Sequence, residues 1–508
     1  MKRLRIFFIS LLAVVLLAGC GGDSSQGDGE QAENITREDK TVLKMALGVD
    51  PDGLDPHRTA AAATFQITNN IYDTLIRITP EGELKPALAE SWELSEDGLA
   101  ITLKLREGVK FHNGRPVTAE DVKFSFERLK DEESPRSGVY ANIVDIRVID
   151  ERTVEFVTEQ LDVALETLFV YPWTAIVPEE AVDELRDKPV GSGPYRLEEW
   201  IPQQHIILKK NKDYYDPANI ETIEFIVMPD VTSQISALQS GQIDMILITG
   251  DQAGPIIGNE DLKIVEVQYN AIQLMAMNNK HEALSDVRVR QAINYAVDKD
   301  AVIETVWFGY GKKIGSHYPP ILKGYVDTTD VISYDPEKAR QLLEEAGYDD
   351  ALTLDMYLPS AYPMYVSAGQ VIADQLREVG ITANIHTVEW GVWLSDIYTN
   401  RQYDLTVVGH TGRLDPFALL ARYQSDSGEN YMNYSNERVD EILATVQQER
   451  DEEKRMALYA EIQNILAEEV PALYIQSPIA IVVSAKDVAG FESYPIDIYE
   501  MKDVYFNE

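Results

Sequence analysis

The chain has 508 residues, and its 85 Asp and Glu against 45 Lys and Arg give a formal net charge of −40. A surface this acidic repels nucleic acid and anionic lipid headgroups, so we exclude both as partners. About 470 residues follow the N-terminal region, more than one hydrophobic core accommodates, which predicts two or three domains. With Cys20 as its one cysteine, the chain cannot form an intrachain disulfide.

The N-terminus has the features of a targeting signal. Basic residues within positions 2–5 precede an apolar run from Ile6 to Ala18, which is shorter than the about 20 residues that span a membrane. The run ends in the letters LAGC, which resemble the bacterial lipobox, whose cysteine becomes the lipidated first residue of the mature protein. We therefore expect residues 1–19 to be a cleaved signal peptide and Cys20 to carry the lipid.

Residues 20–40 are rich in Gly, Ser, Asp, Glu and Gln and contain almost no large apolar side chain. Such a segment cannot bury enough surface to fold, which predicts a flexible tether. No later apolar run reaches membrane-spanning length. We expect the rest of the chain to lie at the cell surface or in the periplasm, attached to the membrane through the lipid anchor only.

Strand-like and helix-like segments alternate after the tether. The letters ITLKLREGVKF, from residue 101, alternate apolar and polar side chains as a half-buried strand does. A helix is predicted from Thr118, its N-cap, because Asp121 completes a capping box and apolar residues follow on one face. A second helix is predicted between Asp335 as N-cap and Gly347 as C-terminal stop.

Further strands are predicted in the segments RTVEFVT, TIEFIVMP and QYDLTVVG, and a long helical region from Glu437 to about Glu469. This mixture indicates an α/β protein, not a repeat array or an all-β sandwich. We find no internal repeat of fixed period. No low-complexity linker follows the tether, so the domains are expected to pack together and to cross over more than once.

The region from Gly82 to Leu129 closely resembles the signature region of the peptide/nickel class, family 5, of ABC-transporter extracellular solute-binding proteins. The similarity continues in the family's order through GSGPYRLEEW (191–200), KKNKDYYD (209–216), ALQSGQIDM (237–245), LSDVRVRQAINYAVDKD (284–300) and YDPEKARQLLEEAGY (334–348).

This resemblance implies the two-lobe fold of the periplasmic-binding-protein type, in its type II class with an extra domain. We expect lobe I to comprise residues 41–80, 191–277 and 476–508, the extra domain residues 81–190, and lobe II residues 278–475. The lobes would close on a small-molecule or peptide ligand, and the loaded monomer would dock onto ABC permease subunits. The implied function needs no cofactor.

Motifs for metal binding or catalysis are missing from the sequence. The seven histidines form no HxxH or HxxxH pair, and no thiolate remains to complete a metal cage, so we expect no metal site. The segment from Gly191 to Tyr195 is interpreted as a chain reversal; a phosphate-binding loop is disfavoured because Arg196 stands where its third glycine would be. We find no G-x-S-x-G elbow and no Cys/His pair, so an enzyme such as a secreted hydrolase is disfavoured.

The resemblance also assigns candidate ligand contacts. Trp390 matches a family tryptophan that lines the pocket, although it and Trp393 could equally be core residues at a helix start. His410 replaces a residue that is often aromatic and is expected to form a stacking or hydrogen-bonding wall. Thr411 and Gly412 align with small residues that precede the aspartate by which peptide-binding members hold a free α-amino group.

Arg413 stands at or beside that aspartate's position. A guanidinium repels an ammonium group but can grip a carboxylate or phosphate in a bidentate manner. Two alternatives stay open: Arg413 pairs internally with Asp415 or another acid, or the alignment slips by two and Asp415 itself holds the amine.

The sequence therefore predicts a lipid-anchored substrate-binding component of an ABC importer, with a di- or oligopeptide as leading ligand. Two alternatives remain: a binder of an oligosaccharide, an opine-like compound or a metal chelate, and a sensor or chaperone that presents its ligand to a receptor.

Overall fold

The computed structural model describes residues 40–348 and 352–507. The expected signal peptide, the lipidation site Cys20 and all but the last residue of the tether lie outside the described residues. The helices are α1 (Ala62–Thr68), α2 (Ala119–Leu129), α3 (Val231–Gln239), α4 (Val287–Ala296), α5 (Lys299–Trp307), α6 (Pro336–Ala346), α7 (Pro363–Glu378), α8 (Trp390–Val392), α9 (Pro416–Leu420), α10 (Glu437–Val446) and α11 (Glu452–Glu469).

The strands are β1 (Val42–Leu47), β2 (Ile76–Ile78), β3 (Leu84–Pro86), β4 (Ala89–Leu94), β5 (Ala100–Leu105), β6 (Ile143–Asp150), β7 (Thr153–Thr158), β8 (Tyr195–Ile201), β9 (His205–Lys210), β10 (Thr222–Val227), β11 (Met245–Ile248), β12 (Leu262–Gln268), β13 (Ala271–Met277), β14 (Gly311–Lys313), β15 (Leu352–Pro359), β16 (Ile381–Val388), β17 (Leu405–Thr411), β18 (Ala472–Ala485), β19 (Val488–Ala489) and β20 (Tyr505–Phe506). The α/β class expected from the sequence is confirmed.

One long strand, β18, joins two halves of the main sheet. Its C-terminal part pairs antiparallel with β11 on one side and β12 on the other, beside β1, β10, β9 and β8; we call this the first half-sheet. Its N-terminal part pairs with β13 and β14, and β13 continues into β17, β15 and β16; this is the second half-sheet. The chain therefore crosses from the second half-sheet to the first within β18 itself.

A second crossing runs beside the first. β12 pairs with β18 up to Gln268, and after two residues β13 pairs with the preceding part of β18. The backbone N–H of Tyr269 donates to the Pro478 carbonyl (3.2 Å), and the Ser477 hydroxyl donates to the Tyr269 carbonyl (3.2 Å). The two crossings form a narrow connection of the kind that permits hinge motion. The crossing at residues 268–271 precedes the lobe boundary expected at residue 277, and the domain boundaries stay a prediction.

A separate four-stranded sheet, in the order β4-β5-β7-β6, lies within residues 81–190. Helix α2 packs on it through the predicted face, where Val122, Phe126 and Leu129 are buried. The capping box of Thr118 and Asp121 is present, with Asp121 accepting the Thr118 backbone N–H at 2.9 Å. The sequence prediction for this helix is therefore confirmed.

The loop before α1 attaches this domain to the first half-sheet through a buried polar cluster. Both terminal nitrogens of Arg128 donate to the Asp55 carboxylate. The neighbouring His57, 1% exposed, lies 2.9 Å from the Ala175 carbonyl through Nε2.

Helix α6 begins and ends where the sequence predicts, with Asp335 accepting two backbone N–H groups and Gly347 in the left-handed region. The long helical region is divided: α10 ends at Val446, and α11 begins after Asp451, whose carboxylate accepts the Lys454 backbone N–H. Both helices pack into the core beside the second half-sheet.

Candidate functional site

A cavity of about 830 Å³ opens beside the two strand crossings. Its lining includes residues 60–65 at the start of α1, the crossing residues 268–271, the end of β17 and the loop to α9, residues 136–173 of the extra domain, and the C-terminal segment 491–499. This volume lies within the range of small-ligand pockets. A ligand here would contact the crossing, the loop after β17, the extra domain and the C-terminal segment together.

The extra domain and α1 together form an aromatic wall of the cavity. Tyr171 and Trp173 stack with ring centroids 4.4 Å apart and planes 8° apart, and Phe65 lies 5.6 Å from Trp173. The guanidinium of Arg136 lies 4.4 Å from the centre of the Trp173 ring. Planar apolar faces of this kind accommodate varied side chains.

Asn270 holds the crossing at residues 268–271 against the loop after β17 and against the C-terminal segment. Its carbonyl accepts the Gly412 backbone N–H at 2.6 Å, and its side-chain amide donates to the Pro495 carbonyl at 3.0 Å. A Cβ at Gly412 would lie 1.5 Å from the Asn270 side-chain oxygen. Glycine is required here because the two segments approach so closely.

The loop after β17 brings four predicted site residues to the cavity: Thr411, Gly412, Arg413 and Asp415 all line it. The Arg413 side chain is exposed. Among the described residues it forms no hydrogen bond and no ion pair within 4.0 Å, so the internal pairing with Asp415 is not present in this conformation.

Asp415 serves as the N-cap of α9. Its two oxygens accept the backbone N–H groups of Phe417 (2.9 Å) and Ala418 (3.1 Å). Burial raises the pKa of Asp415 to about 6, against the lowering effect of these two hydrogen bonds. The carboxyl group therefore has a structural role whether or not it also meets a ligand.

His410 is not among the cavity-lining residues and lies behind them. Because a guanidinium can only donate, Nδ1 of His410 accepts from Arg422 (2.7 Å), which leaves the proton on Nε2 to donate to the Tyr431 hydroxyl (3.0 Å). Burial, assisted by Arg422, lowers the pKa of His410 well below its ordinary value. Its ring stacks near His317, with centroids 5.1 Å apart.

Trp390 also lies outside the cavity lining. It begins α8 and stacks on Trp393 at 4.9 Å with planes 6° apart, while Tyr362 contacts it edge-on. Trp393 is buried, and its indole N–H donates to the Thr406 hydroxyl at 2.9 Å. The interpretation of Trp393 as a core residue fits this packing; a role for Trp390 in ligand binding stays a prediction.

A match over most of the chain identifies the protein family. Residues 83–431 match the model of bacterial extracellular solute-binding proteins, family 5. The chain belongs to this family. The resemblance expected from the sequence is thereby confirmed.

Relatives with this architecture cover nearly the whole chain. Di/tripeptide-binding protein 2 of Pseudomonas aeruginosa is 29% identical over 92% of this chain and 96% of its own, and the dipeptide-binding protein of Escherichia coli is 27% identical over 92% and 94%. Among solved structures, HbpA2 of Haemophilus parasuis has 25% identity and a TM-score of 0.85, covering 92% of this chain and 100% of its own. The periplasmic binding protein DppA of Helicobacter pylori, in complex with the peptide STSA, has 26% identity and a TM-score of 0.71, covering 92% and 98%. The two-lobe fold is therefore confirmed.

Several cavity residues of this family 5 protein were not found from the sequence. Arg136, Tyr171 and Trp173 lie in the extra domain, more than 200 residues before the β17 loop, and Asn270 lies at a crossing. A local signal was present at the two aromatic residues that flank Pro172. Two large aromatic rings so close in the sequence indicate a core or a binding surface, since such rings are seldom fully exposed.

A smaller cavity of about 300 Å³ adjoins the first and shares with it Ala164, Thr167, Leu414, Asp415 and Pro495. On its rim Lys323 pairs with Glu83 (3.3 Å) and with Glu452 (3.0 Å). Through these two exposed ion pairs, Lys323 connects the β2–β3 hairpin to the part of the protein that carries the second half-sheet.

Across the described residues, no helix combines the length and apolar character needed to cross a membrane. The same part of the chain contains no group of three or more His, Cys, Asp or Glu side chains placed to hold a metal ion.

Proposed function

We propose that this family 5 protein binds a di- or oligopeptide between its lobes and delivers it to ABC permease subunits. The observation that carries the proposal is the cavity beside the strand crossings, lined by residues from both half-sheets and from the extra domain. The names of the Pseudomonas aeruginosa and Escherichia coli relatives and the peptide-bound Helicobacter pylori structure support a peptide as the ligand.

Closure around the ligand supplies the binding energy. A ligand shifts the open and closed states only by its difference in affinity for them, and contacts with both lobes exist together only when the lobes meet. The two adjacent crossings at residues 268–271 and 476–479 form the hinge. We propose Thr411, Gly412, Arg413 and Asp415 as direct contacts. Trp390 would reach the ligand on closure, and His410 would support this wall.

The N-terminal segment supports a role at the membrane surface. We propose that signal cleavage exposes Cys20, that lipid on this residue anchors the protein outside the cell membrane, and that the tether keeps the monomer near its permease. In this role the protein carries out no chemical reaction. Lobe I, the extra domain and lobe II keep the boundaries given above as part of the proposal.

Isothermal titration calorimetry with short peptides tests this function, combined with native mass spectrometry of protein purified from its own organism. The proposal expects a co-purifying peptide and saturable binding, with a raised melting temperature because a ligand that binds only the folded state stabilises it. A co-purifying oligosaccharide, opine-like compound or metal chelate, with no peptide bound by the emptied protein, would contradict it. Genes for a permease and an ATPase beside this one would favour transport over sensing.

A further inference from the structure

Arg413 is a cation in the cavity that the protein itself does not neutralise. The chain carries 85 acidic residues against 45 basic ones. Even so, no acid among the described residues lies within 4.0 Å of the Arg413 guanidinium, and the exposed side chain lines the cavity. The five N–H donors of its guanidinium therefore have no acceptor within the described part of the chain.

Arg136 is a second cation on the same cavity. Its guanidinium lies over the Trp173 ring, which holds it in place without using its N–H groups. Its Nε is buried and has no hydrogen-bond partner among the described residues, and no ion pair joins it to an acid there. A buried N–H of this kind is costly unless an acceptor reaches it.

Tyr171 connects the two arginines. Its hydroxyl oxygen accepts the Leu414 backbone N–H at 3.3 Å, next to Arg413 in the chain, and its ring stacks on the Trp173 that carries Arg136. The hydroxyl proton has no acceptor among the described residues. Burial raises the pKa of Tyr171 above its ordinary value, so the group is a donor at neutral pH.

Two of the acids that line the same cavity, Asp415 and Asp162, are engaged elsewhere. Asp415 caps α9 through two backbone N–H groups, and the cation that lowers its pKa is Arg455. Asp162 accepts the backbone N–H of Ala164 at 3.0 Å. Neither carboxylate accepts a hydrogen bond from the guanidinium of Arg136 or Arg413.

We infer that Arg136, Tyr171 and Arg413 form a subsite that binds a carboxylate of the peptide. The inference rests on the proposed peptide-binding function and specifies it. Guanidinium groups match carboxylate geometry in a bidentate manner, and the phenol adds a third donor. The carboxylate is either the C-terminal one or that of an acidic side chain. Since Arg136 and Arg413 come from different parts of the protein, such a ligand group would also hold these parts together.

Four peptides distinguish the two sources by calorimetry on the full chain: Ala-Ala-Ala, its C-terminal amide, Ala-Glu-Ala and Ala-Gln-Ala. If the C-terminal carboxylate is bound, amidation weakens binding by at least about tenfold; if an acidic side chain is bound, the change from Glu to Gln does so. Arg413→Gln and Arg136→Gln should each weaken the preferred acid by about tenfold or more, and should change the affinity of its neutral counterpart much less. Arg413→Lys, which keeps the charge without the planar fork, should fall between wild type and Arg413→Gln.

Arg377→Gln is the matched control, because Arg377 lies on α7 with 67% of its side chain exposed and is absent from the cavity lining. It should bind all four peptides as the wild type does. If both cavity variants bind the acidic peptides as tightly as the wild type, with unchanged melting temperatures, the subsite is wrong while the peptide-binding function stands. If the folded wild type binds none of the four peptides or of a wider peptide panel, the proposed function fails and the subsite with it.

Discussion

His57 gives the sharpest stability prediction, because it is buried in the cluster that attaches the extra domain to the first half-sheet. It is 1% exposed, and its Nε2 contacts the Ala175 carbonyl as a donor. Burial, followed by repulsion from Arg128, lowers its pKa from 6.5 to about 4, although Asp55 opposes this shift. The unfolded chain therefore binds a proton at this residue between pH 6.5 and pH 4 that the folded protein does not bind.

The sign follows from this difference in protonation. Stability rises with pH wherever the unfolded state binds more protons, so His57 destabilises the fold progressively as the pH falls from 6.5 towards 4. Lowering the pKa of His57 from 6.5 to about 4 corresponds to about 3 kcal/mol, because a tenfold change in proton affinity is worth about 1.4 kcal/mol. His57→Gln retains an amide N–H for Ala175 and cannot titrate.

Urea unfolding of the wild type and of His57→Gln at pH 7, 6, 5 and 4 measures this contribution. Contributions from titrating groups that do not interact with His57 are common to both proteins and cancel in the difference. The variant should gain about 3 kcal/mol relative to the wild type between pH 7 and pH 4. Parallel stability curves, or an NMR titration in which the His57 ring protonates near pH 6.5 in the folded protein, would refute the reasoning.

Three further predictions concern the site and the anchor. Gly412→Val should destabilise the fold by about 1–3 kcal/mol and weaken peptide binding, because its Cβ would collide with Asn270. Gly428→Val should do neither, because a Cβ at Gly428 meets nothing within 4 Å. Equal unfolding curves for the two variants would contradict this prediction. Trp390→Ala should weaken peptide binding by about tenfold in calorimetry, as aromatic contacts in binding sites do, and an unchanged dissociation constant would remove Trp390 from the site. Cys20→Ala should release the protein from the membrane fraction in cell fractionation while Ser24→Ala should not, and a Cys20→Ala protein that stays with the membrane would contradict lipid anchoring.

Local signals predicted local structure well. The capping residues Thr118 and Asp335 fixed the starts of α2 and α6, because a side chain that accepts backbone N–H groups acts within one turn. The sequence predicts one long helical region from Glu437 to about Glu469 without placing a break in it, and five residues separate α10 from α11. Asp451, a good N-cap, marks the second start and could have been used to place it.

The glycines of the 191–195 segment show how a sequence signal can have a cause other than the expected one. They were interpreted as parts of a chain reversal. A Cβ on Gly191 or Gly193 would lie 2.0 or 2.7 Å from the Ile71 carbonyl oxygen, so both residues are needed because two backbone segments touch. Such an approach depends on a segment about 120 residues away, which no local pattern reveals.

The candidate site was predictable only on one side. The family resemblance indicated Thr411, Gly412, Arg413 and Asp415, which line the cavity, and also Trp390 and His410, which do not. The opposite wall comes from the extra domain, and its approach to β17 depends on tertiary contacts between distant segments. The same holds for β18, because a run of apolar residues does not show that its two ends pair in different half-sheets.

Small-angle X-ray scattering on the purified protein, with and without a peptide shown by calorimetry to bind, tests the central claim most directly. The account predicts a smaller radius of gyration and a changed profile at saturation, because the half-sheets close about the crossings at residues 268–271 and 476–479. Identical profiles at full occupancy would contradict closure as the source of binding.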